Sequence, residues 1–248
     1  MLATELRQWQ IPDGVALLTQ AGVPPDPWQV QALRSQAAKL LLLCTRQAGK
    51  TQVAAALALG TALREPGSLT LVLSPSLRQS QESFRRVLDL YRTLQTPRPT
   101  QAESALRLEL SNGSRIVSLP GTESTVRGYS NVRLLVIDEA ARVPDELYYS
   151  VRPMLAVSHG RLLALSTPFG KRGWFYQEYT QGEGWERVKI TAYDCPRISK
   201  EFLEEERRTL PPLFFQSEYM CEFVDTIDQV FASAFVHAAI SAEVQPLF

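Results

Sequence analysis

The triplet Gly49-Lys50-Thr51, inside "LLLCTRQAGKTQVAAA" (residues 41–56), has the chemistry to hold a phosphate. In the pattern G-x-x-x-x-G-K-[ST], backbone amides cradle the phosphates, the lysine reaches the β/γ-phosphates and the hydroxyl ligates Mg²⁺. Cys44 stands where that pattern has its first glycine, and Arg46 lies inside the loop. The triplet follows the apolar run "KLLLLCT" and opens an alanine-rich stretch, so it is read as a loop between a buried strand and a helix N-terminus. Without that setting, Lys50 and Thr51 would merely begin a surface helix.

A second constellation is "LLVIDEA" (Leu134–Ala140), an apolar strand that ends in Asp138-Glu139. Adjacent carboxylates at the end of a buried strand are costly unless they have a task. Asp138 suits a Mg²⁺ carboxylate and Glu139 a residue that polarises an attacking water. In "LALSTP" (Leu163–Pro168), Ser166 or Thr167 could sense a γ-phosphate, although strand-end caps would look the same. Upstream, in "DPWQVQAL" (Asp26–Leu33), a glutamine amide could read an adenine edge, with Gln29 beside Trp28 preferred over Gln31. Two arginines could stabilise transition-state charge, in cis or across a subunit boundary: Arg46 in the loop and Arg127 in "STVRGYSNV".

These residues need a scaffold that brings strand ends together. Strands are expected at "KLLLLCT", "SLTLVLSP", "RLLVIDEA" and "RLLALSTP", with helices from about Lys50 to Leu63 and over "RQSQESFRRVLDLYRTL". Continuous apolar strands separated by helices predict an α/β fold with a mostly parallel sheet covered on both faces. "ALRLELSNGSRIVSLP" alternates around Asn112-Gly113 and predicts a hairpin inserted in the sheet or at its edge. After about residue 180, one strand in "GWERVKITAYDCP" and two short helices, in "SKEFLEEERRTL" and "PPLFFQSEYMCEF", predict a small subdomain. The expected division is a core over 1–180, a lid over 181–230 and a linker over 231–248.

Composition excludes several classes. The chain has 248 residues, 45% of them hydrophobic, which suffices for a sizeable core. No apolar run spans a membrane, and "MLATELRQWQ" lacks a signal-peptide hydrophobic region, so a soluble intracellular protein is expected. Cys44, Cys195 and Cys221 form no C-x-x-C and read as reduced thiols, and His159 and His237 alone make a histidine metal centre improbable. The zero net charge conceals 15 Lys+Arg against 9 Asp+Glu in residues 1–133, reversed to 11 against 17 afterwards. Scattered solvated arginines would give the same count; a basic face on the first half, with Arg98 and Arg107 flanking the hairpin, would suit nucleic acid.

The ordered motifs together resemble the large terminase subunit of tailed bacteriophages, the ATPase motor that packages DNA into procapsids. They are "PWQ", "TRQAGKT", "LELSNGSRIVSL", "TVRGYSNVRLLVIDEAARVP", "ALSTPFGKRGWFYQEY" and "FFQSEYMCEFVDTIDQVF". In that family the loop reads R-Q-x-G-K-[ST], so the missing glycine is normal. The resemblance implies a helicase-like P-loop ATPase of the ASCE class with a small C-terminal lid, using ATP and Mg²⁺. By position, Arg46, Gln47, Ala48, Gly49, Lys50, Thr51 and Gln52 would bind nucleotide, with Gln29, Asp138, Ser166 and Thr167. Thr51 and Asp138 would hold the metal, and Glu139, Arg46 and Arg127 would be catalytic, Arg127 as a finger acting in trans. Implied partners are double-stranded DNA, the portal protein, the small terminase subunit and further copies in a ring, in the host cell cytoplasm. Nuclease activity is not expected, because no acidic cluster for it follows residue 231. The competing readings are a helicase-like remodelling ATPase and a catalytically silent nucleotide-dependent scaffold; Glu139 argues against the latter.

Overall fold

A computed structural model of the protein describes residues 12–121, 126 and 128–225. Its centre is an eight-stranded sheet in the order β3-β4-β5-β2-β6-β7-β1-β8. The strands are β1 (Lys39–Cys44), β2 (Leu69–Ser74), β3 (Thr100–Glu103), β4 (Arg107–Leu110), β5 (Arg115–Pro120), β6 (Val132–Asp138), β7 (Arg161–Ser166) and β8 (Trp185–Ile190). Pairings among β1, β2, β5, β6, β7 and β8 are parallel, and β3 and β4 add an antiparallel edge. The hairpin lies at this edge, turning at Gly113 with φ 78°. There the Gly113 amide donates to the Leu110 carbonyl at 2.8 Å.

Helices cover both faces. α1 (Gly14–Gln20), α2 (Pro27–Arg34), α3 (Lys50–Arg64) and α4 (Leu77–Arg92) pack on one side. α5 (Asp145–Val151) and α6 (Gly173–Thr180) pack on the other, and α7 (Lys200–Thr209) and α8 (Pro212–Glu218) follow β8. The apolar strands supply both cores by alternation: Leu40, Leu42 and Cys44 face α3, whereas Leu41 and Leu43 join the cluster of Tyr148, Trp174 and Phe175. Tyr148 and Trp174 stack with ring centroids 3.9 Å apart, and the indole donates to the Val143 carbonyl at 3.1 Å. α3 is buried nearly all round, which its run of alanines permits by allowing close approach to the sheet.

The expected boundary at residue 180 does not match the sheet. β8 pairs along its whole length with β1, from Lys39↔Trp185 to Cys44↔Ile190, so it is an edge strand of the core. Its alternation of buried Trp185, Val188 and Ile190 with exposed Arg187 and Lys189 suits an edge whose outer face meets water. The segment after it returns to the core, with the Ala192 amide donating to the Tyr219 carbonyl at 2.7 Å. The linker expected over 231–248 lies outside the described residues.

Candidate functional site

The parallel strands β1, β6 and β7 deliver Cys44, Asp138 and Ser166 to one edge of the sheet. Register pairs Leu43 with Ser166 and Asp138 with Leu165. The loop 45–49 leaves β1 at this edge and enters α3. Gln47 (φ 58°) and Gly49 (φ 92°) both take the left-handed conformation, which folds the loop over the helix N-terminus. Among the described residues, the amides of residues 46–51 find no acceptor. Six free donors at the start of a 15-residue helix form an anion site, reinforced by the helix dipole. Cys44, in the place of the usual glycine, is fully buried in the core, and burial pushes its thiol far up. Its side chain is thus packed in the core and does not line the cavity.

Lys50 is 7% exposed and donates to the Thr45 carbonyl at 3.2 Å. Asp138 is buried beneath the loop. It accepts from the Ser83 hydroxyl at 2.6 Å and from the Glu139 amide at 3.0 Å. Burial raises its pKa above the usual carboxylate range, opposed by the Ser83 bond and by the Lys50 charge. Glu139 sits at φ 52°, ψ 43°, a strained setting for a glutamate that turns its side chain out of the strand and into the cavity. There Arg142 bridges two strand ends: one nitrogen lies 3.3 Å from a Glu139 carboxylate oxygen and 3.2 Å from the Thr167 hydroxyl. The Arg142 guanidinium also lies 4.7 Å from the centre of the Phe169 ring.

Lys50, Glu139, Arg142 and Thr167 line a cavity of about 520 Å³, together with the loop, Gln52, Gln79, Glu82 and Arg86. Four cationic side chains (Arg46, Lys50, Arg86, Arg142) face two acidic ones (Glu82, Glu139), so the cavity favours a polyanion. Thr167 reaches the cavity, whereas Ser166 is fully buried below it and accepts from the Ala141 amide at 3.2 Å. The donor set suits Mg²⁺ in particular. Asp138 is a buried carboxylate whose charge is only partly offset, and Thr51 lines the cavity. No group of three or more His, Cys, Asp or Glu among the described residues could cage a metal unaided. A carboxylate and a hydroxyl completed by phosphate oxygens is the arrangement Mg²⁺ accepts.

The segment after β8 holds the loop from both flanks. Arg197 pairs with Asp26 at 2.9 Å and donates to the Ala48 carbonyl at 2.8 Å. The Thr45 hydroxyl donates to the Glu218 carbonyl at 2.7 Å, and Arg46 pairs with the Glu218 carboxylate. Gln29 also braces the loop: its Oε1 accepts from the Asp26 amide at 2.8 Å and its Nε2 donates to the Gly49 carbonyl at 3.2 Å. Both ends of the Gln29 amide are thus engaged within the protein, at 2% exposure.

The structure brings together Arg46, Gln47, Gly49, Lys50, Thr51, Gln52, Glu139 and Thr167 around one cavity, with Asp138, Ser166, Ala48 and Gln29 behind its walls. Arg127 lies outside the described residues. Arg107 pairs with Glu109 on the antiparallel edge. Sequence reasoning passed over Ser83, Arg142, Arg197 and Glu218. Ser83 left one trace: with Ser80 it occupies the apolar face of α4 beside Phe84 and Val87, where a polar residue requires a partner.

A central parallel sheet whose first strand ends in an amide-lined loop and Lys-Thr, with paired acids two strands away, defines a P-loop nucleotide-binding fold. Residues 41–234 match the family described as terminase large subunit, T4likevirus-type, N-terminal, and the chain belongs to that family. Among curated relatives, the terminase large subunits of Thermus phage G20c and Escherichia phage T5 are each 29% identical. Those alignments cover 85% and 87% of this chain, and 51% of each relative. The chain therefore spans about half the length of the curated relatives it matches. Among solved structures, the large terminase ATPase domain of Thermus phage P74-26 superposes with a TM-score of 0.73 at 24% identity, over 84% of this chain and 97% of that one. The large terminase of another thermophilic bacteriophage, in complex with ADP, gives 0.68 at 14% identity, over 80% of this chain and 54% of that one. No described helix is long and apolar enough to cross a membrane.

Proposed function

We propose that this chain is the ATP-hydrolysing domain of a viral terminase large subunit, driving double-stranded DNA into a procapsid. The observation that carries this reading is the loop of unpartnered amides at the head of α3, which opens on the same cavity as Glu139. The β- and γ-phosphates take those amides as donors, and Lys50 exchanges the Thr45 carbonyl for phosphate oxygens. Thr51 and Asp138 would hold Mg²⁺, which when bound neutralises charge on those oxygens. Glu139 orients a water for attack and accepts its proton as the bond from the γ-phosphorus to ADP breaks. Arg46 and Arg142 lie where they can meet the charge developing on the transferred group. In this reading Arg127 acts on a neighbouring copy's nucleotide, and α7 and α8 serve as the lid.

Relatives support the assignment by name: the P74-26 protein is a large terminase ATPase domain, and the second thermophilic-phage large terminase was solved with ADP. DNA, the portal protein, the small terminase subunit, a ring of copies and the host cytoplasm follow from the family alone. Steady-state phosphate release with ATP and Mg²⁺ tests the central claim. Glu139→Gln and Lys50→Ala should each lower the rate at least about a hundredfold. Turnover in Glu139→Gln equal to that of the parent chain would overturn it.

A further inference from the structure

The strands that carry the phosphate loop and Asp138 have a second cavity at their opposite ends, of about 350 Å³. Helix α3 connects the two, with Lys50 at the loop and Arg64, its last residue, at this site. They lie about 22 Å apart along its axis. Four arginines from four elements line the second cavity: Arg34 ends α2, Arg64 ends α3, Arg133 lies near the start of β6 and Arg161 opens β7. Two carboxylates face them, and both are engaged. Asp13 accepts from the Ala16 amide at 2.7 Å, and Glu65 pairs with Arg133.

The strand arginines are fixed in place. Arg161 donates from Nε to the Ala37 carbonyl and from one terminal nitrogen to the Ser35 carbonyl, each at 3.0 Å. Arg133 donates to the Ser158 carbonyl at 3.1 Å. Arg34 and Arg64 are exposed, and among the described residues their side chains have no hydrogen bond or ion pair. A cation in the last turn complements a helix dipole, which accounts for Arg34 and Arg64. It accounts for neither strand arginine. Burial pulls the Arg161 pKa below its ordinary value against the Glu186 charge, and the nearby charges of Arg64 and Arg133 add to the fall. Like charges thus converge on a half-buried guanidinium, a cost that an arriving anion would relieve.

We infer that this cavity is a second anion site, which takes a compact oligophosphate on the guanidinium groups of Arg34, Arg64 and Arg161. All four of its cations are arginines, whose planar forks match phosphate oxygens in pairs and whose charge is permanent. The volume is that of about ten waters, room for linked phosphates but not for a helix of a partner. The site shares no lining residue with the cavity at the loop, so it stands apart from the nucleotide reading.

Calorimetric titration with inorganic tripolyphosphate tests this, on Lys50→Ala chain so that the phosphate loop competes little. That variant should still bind the probe, and adding Arg34→Gln or Arg64→Gln should weaken binding about tenfold each. Adding Arg208→Gln, at an exposed arginine of α7, should change nothing. In the parent chain, Arg34→Gln and Arg64→Gln should leave ATP binding and thermal unfolding as they are, which separates this site from the loop and from the fold. Displacement of the probe by short duplex DNA would identify a nucleic-acid backbone as the source of the phosphates, and its failure a free oligophosphate. Absence of binding to Lys50→Ala chain, binding unmoved by Arg34→Gln and Arg64→Gln, or equal weakening by Arg208→Gln would overturn the site. Tighter binding of an oligo-aspartate peptide than of tripolyphosphate would also overturn it, by assigning the cavity to the acidic side chains of a protein partner.

Discussion

Arg142→Ala is the substitution that most directly probes how Glu139 is controlled. The guanidinium joins the ends of β6 and β7 through Glu139 at 3.3 Å and Thr167 at 3.2 Å, and it packs on Phe169. Both side chains of the ion pair are about a quarter exposed, at 28% and 27%, so solvent screens part of the attraction. A hydrogen bond to a charged group in such a setting is worth about 1.5–3 kcal/mol, and the aromatic contact adds about 0.5–1 kcal/mol. Little of this bears on folding, because water replaces the guanidinium at a half-open site. It bears on where the Glu139 carboxylate points. If Arg142 fixes that direction in the reacting complex, its loss lowers kcat roughly ten- to a hundredfold and changes KM less than about threefold. Arg142→Lys keeps the charge but not the planar group that packs on Phe169, so it should recover only part of the rate. The assay is steady-state phosphate release across ATP concentrations, with thermal unfolding as a check on the fold. A kcat within twofold of the parent, or an effect confined to KM, would refute the positioning role.

Three other outcomes follow from the same site. Burial raises the Asp138 pKa, so the native state binds a proton more readily than the unfolded chain, and stability falls as pH rises from the unfolded carboxylate value of about 3.9 through the folded one. Asp138→Asn removes that penalty: without nucleotide its Tm at neutral pH should rise by about 2–4 °C, a gain that vanishes below about pH 4, while hydrolysis is lost. No gain at neutral pH would mean the buried charge is already compensated. Gly49→Ala places a Cβ 2.6 Å from the Gln29 amide nitrogen at φ 92°, so it should cost about 1–2 kcal/mol in denaturant unfolding and abolish ATP binding; normal binding would show that the loop tolerates the strain. Mixing Arg127→Ala with Lys50→Ala chains should restore part of the ATPase rate if Arg127 acts across a boundary, and an inactive mixture with assembly verified would count against it.

The parts of this molecule that were legible in sequence are those fixed by neighbours along the chain. The loop, its helix and Asp138-Glu139 could be read because a strand end, a turn and a helix start each leave local marks. The hairpin was visible in its alternation about Asn112-Gly113. β3, by contrast, is exposed at all four residues, so "TQAE" carries no apolar signal and its pairing with β4 had no trace. β8 has the same pattern whether it edges the main sheet or starts a subdomain, and only its pairing with β1 decides. The Ser83–Asp138, Arg197–Asp26 and Arg46–Glu218 pairs join residues 55, 171 and 172 positions apart, a separation that no spacing rule encodes. Arg142 was hidden for another reason: an arginine three residues beyond an acid resembles any solvated pair, and its second partner comes from a different strand.

The grip of residues 197 and 218 on opposite flanks of the loop makes the phosphate cradle a mechanical joint as well as a pocket. Arg197 restrains it through the Ala48 carbonyl and Glu218 through Thr45 and Arg46, so the loop cannot change shape without loading the segment that follows β8. Linkage runs in both directions: a nucleotide state that loosens this grip tenfold is itself bound tenfold more weakly while the grip is held. A pull on the segment that releases Arg197 and Glu218 from the loop would thereby favour that nucleotide state, and a nucleotide that reshapes the loop would in turn weaken the hold on the segment.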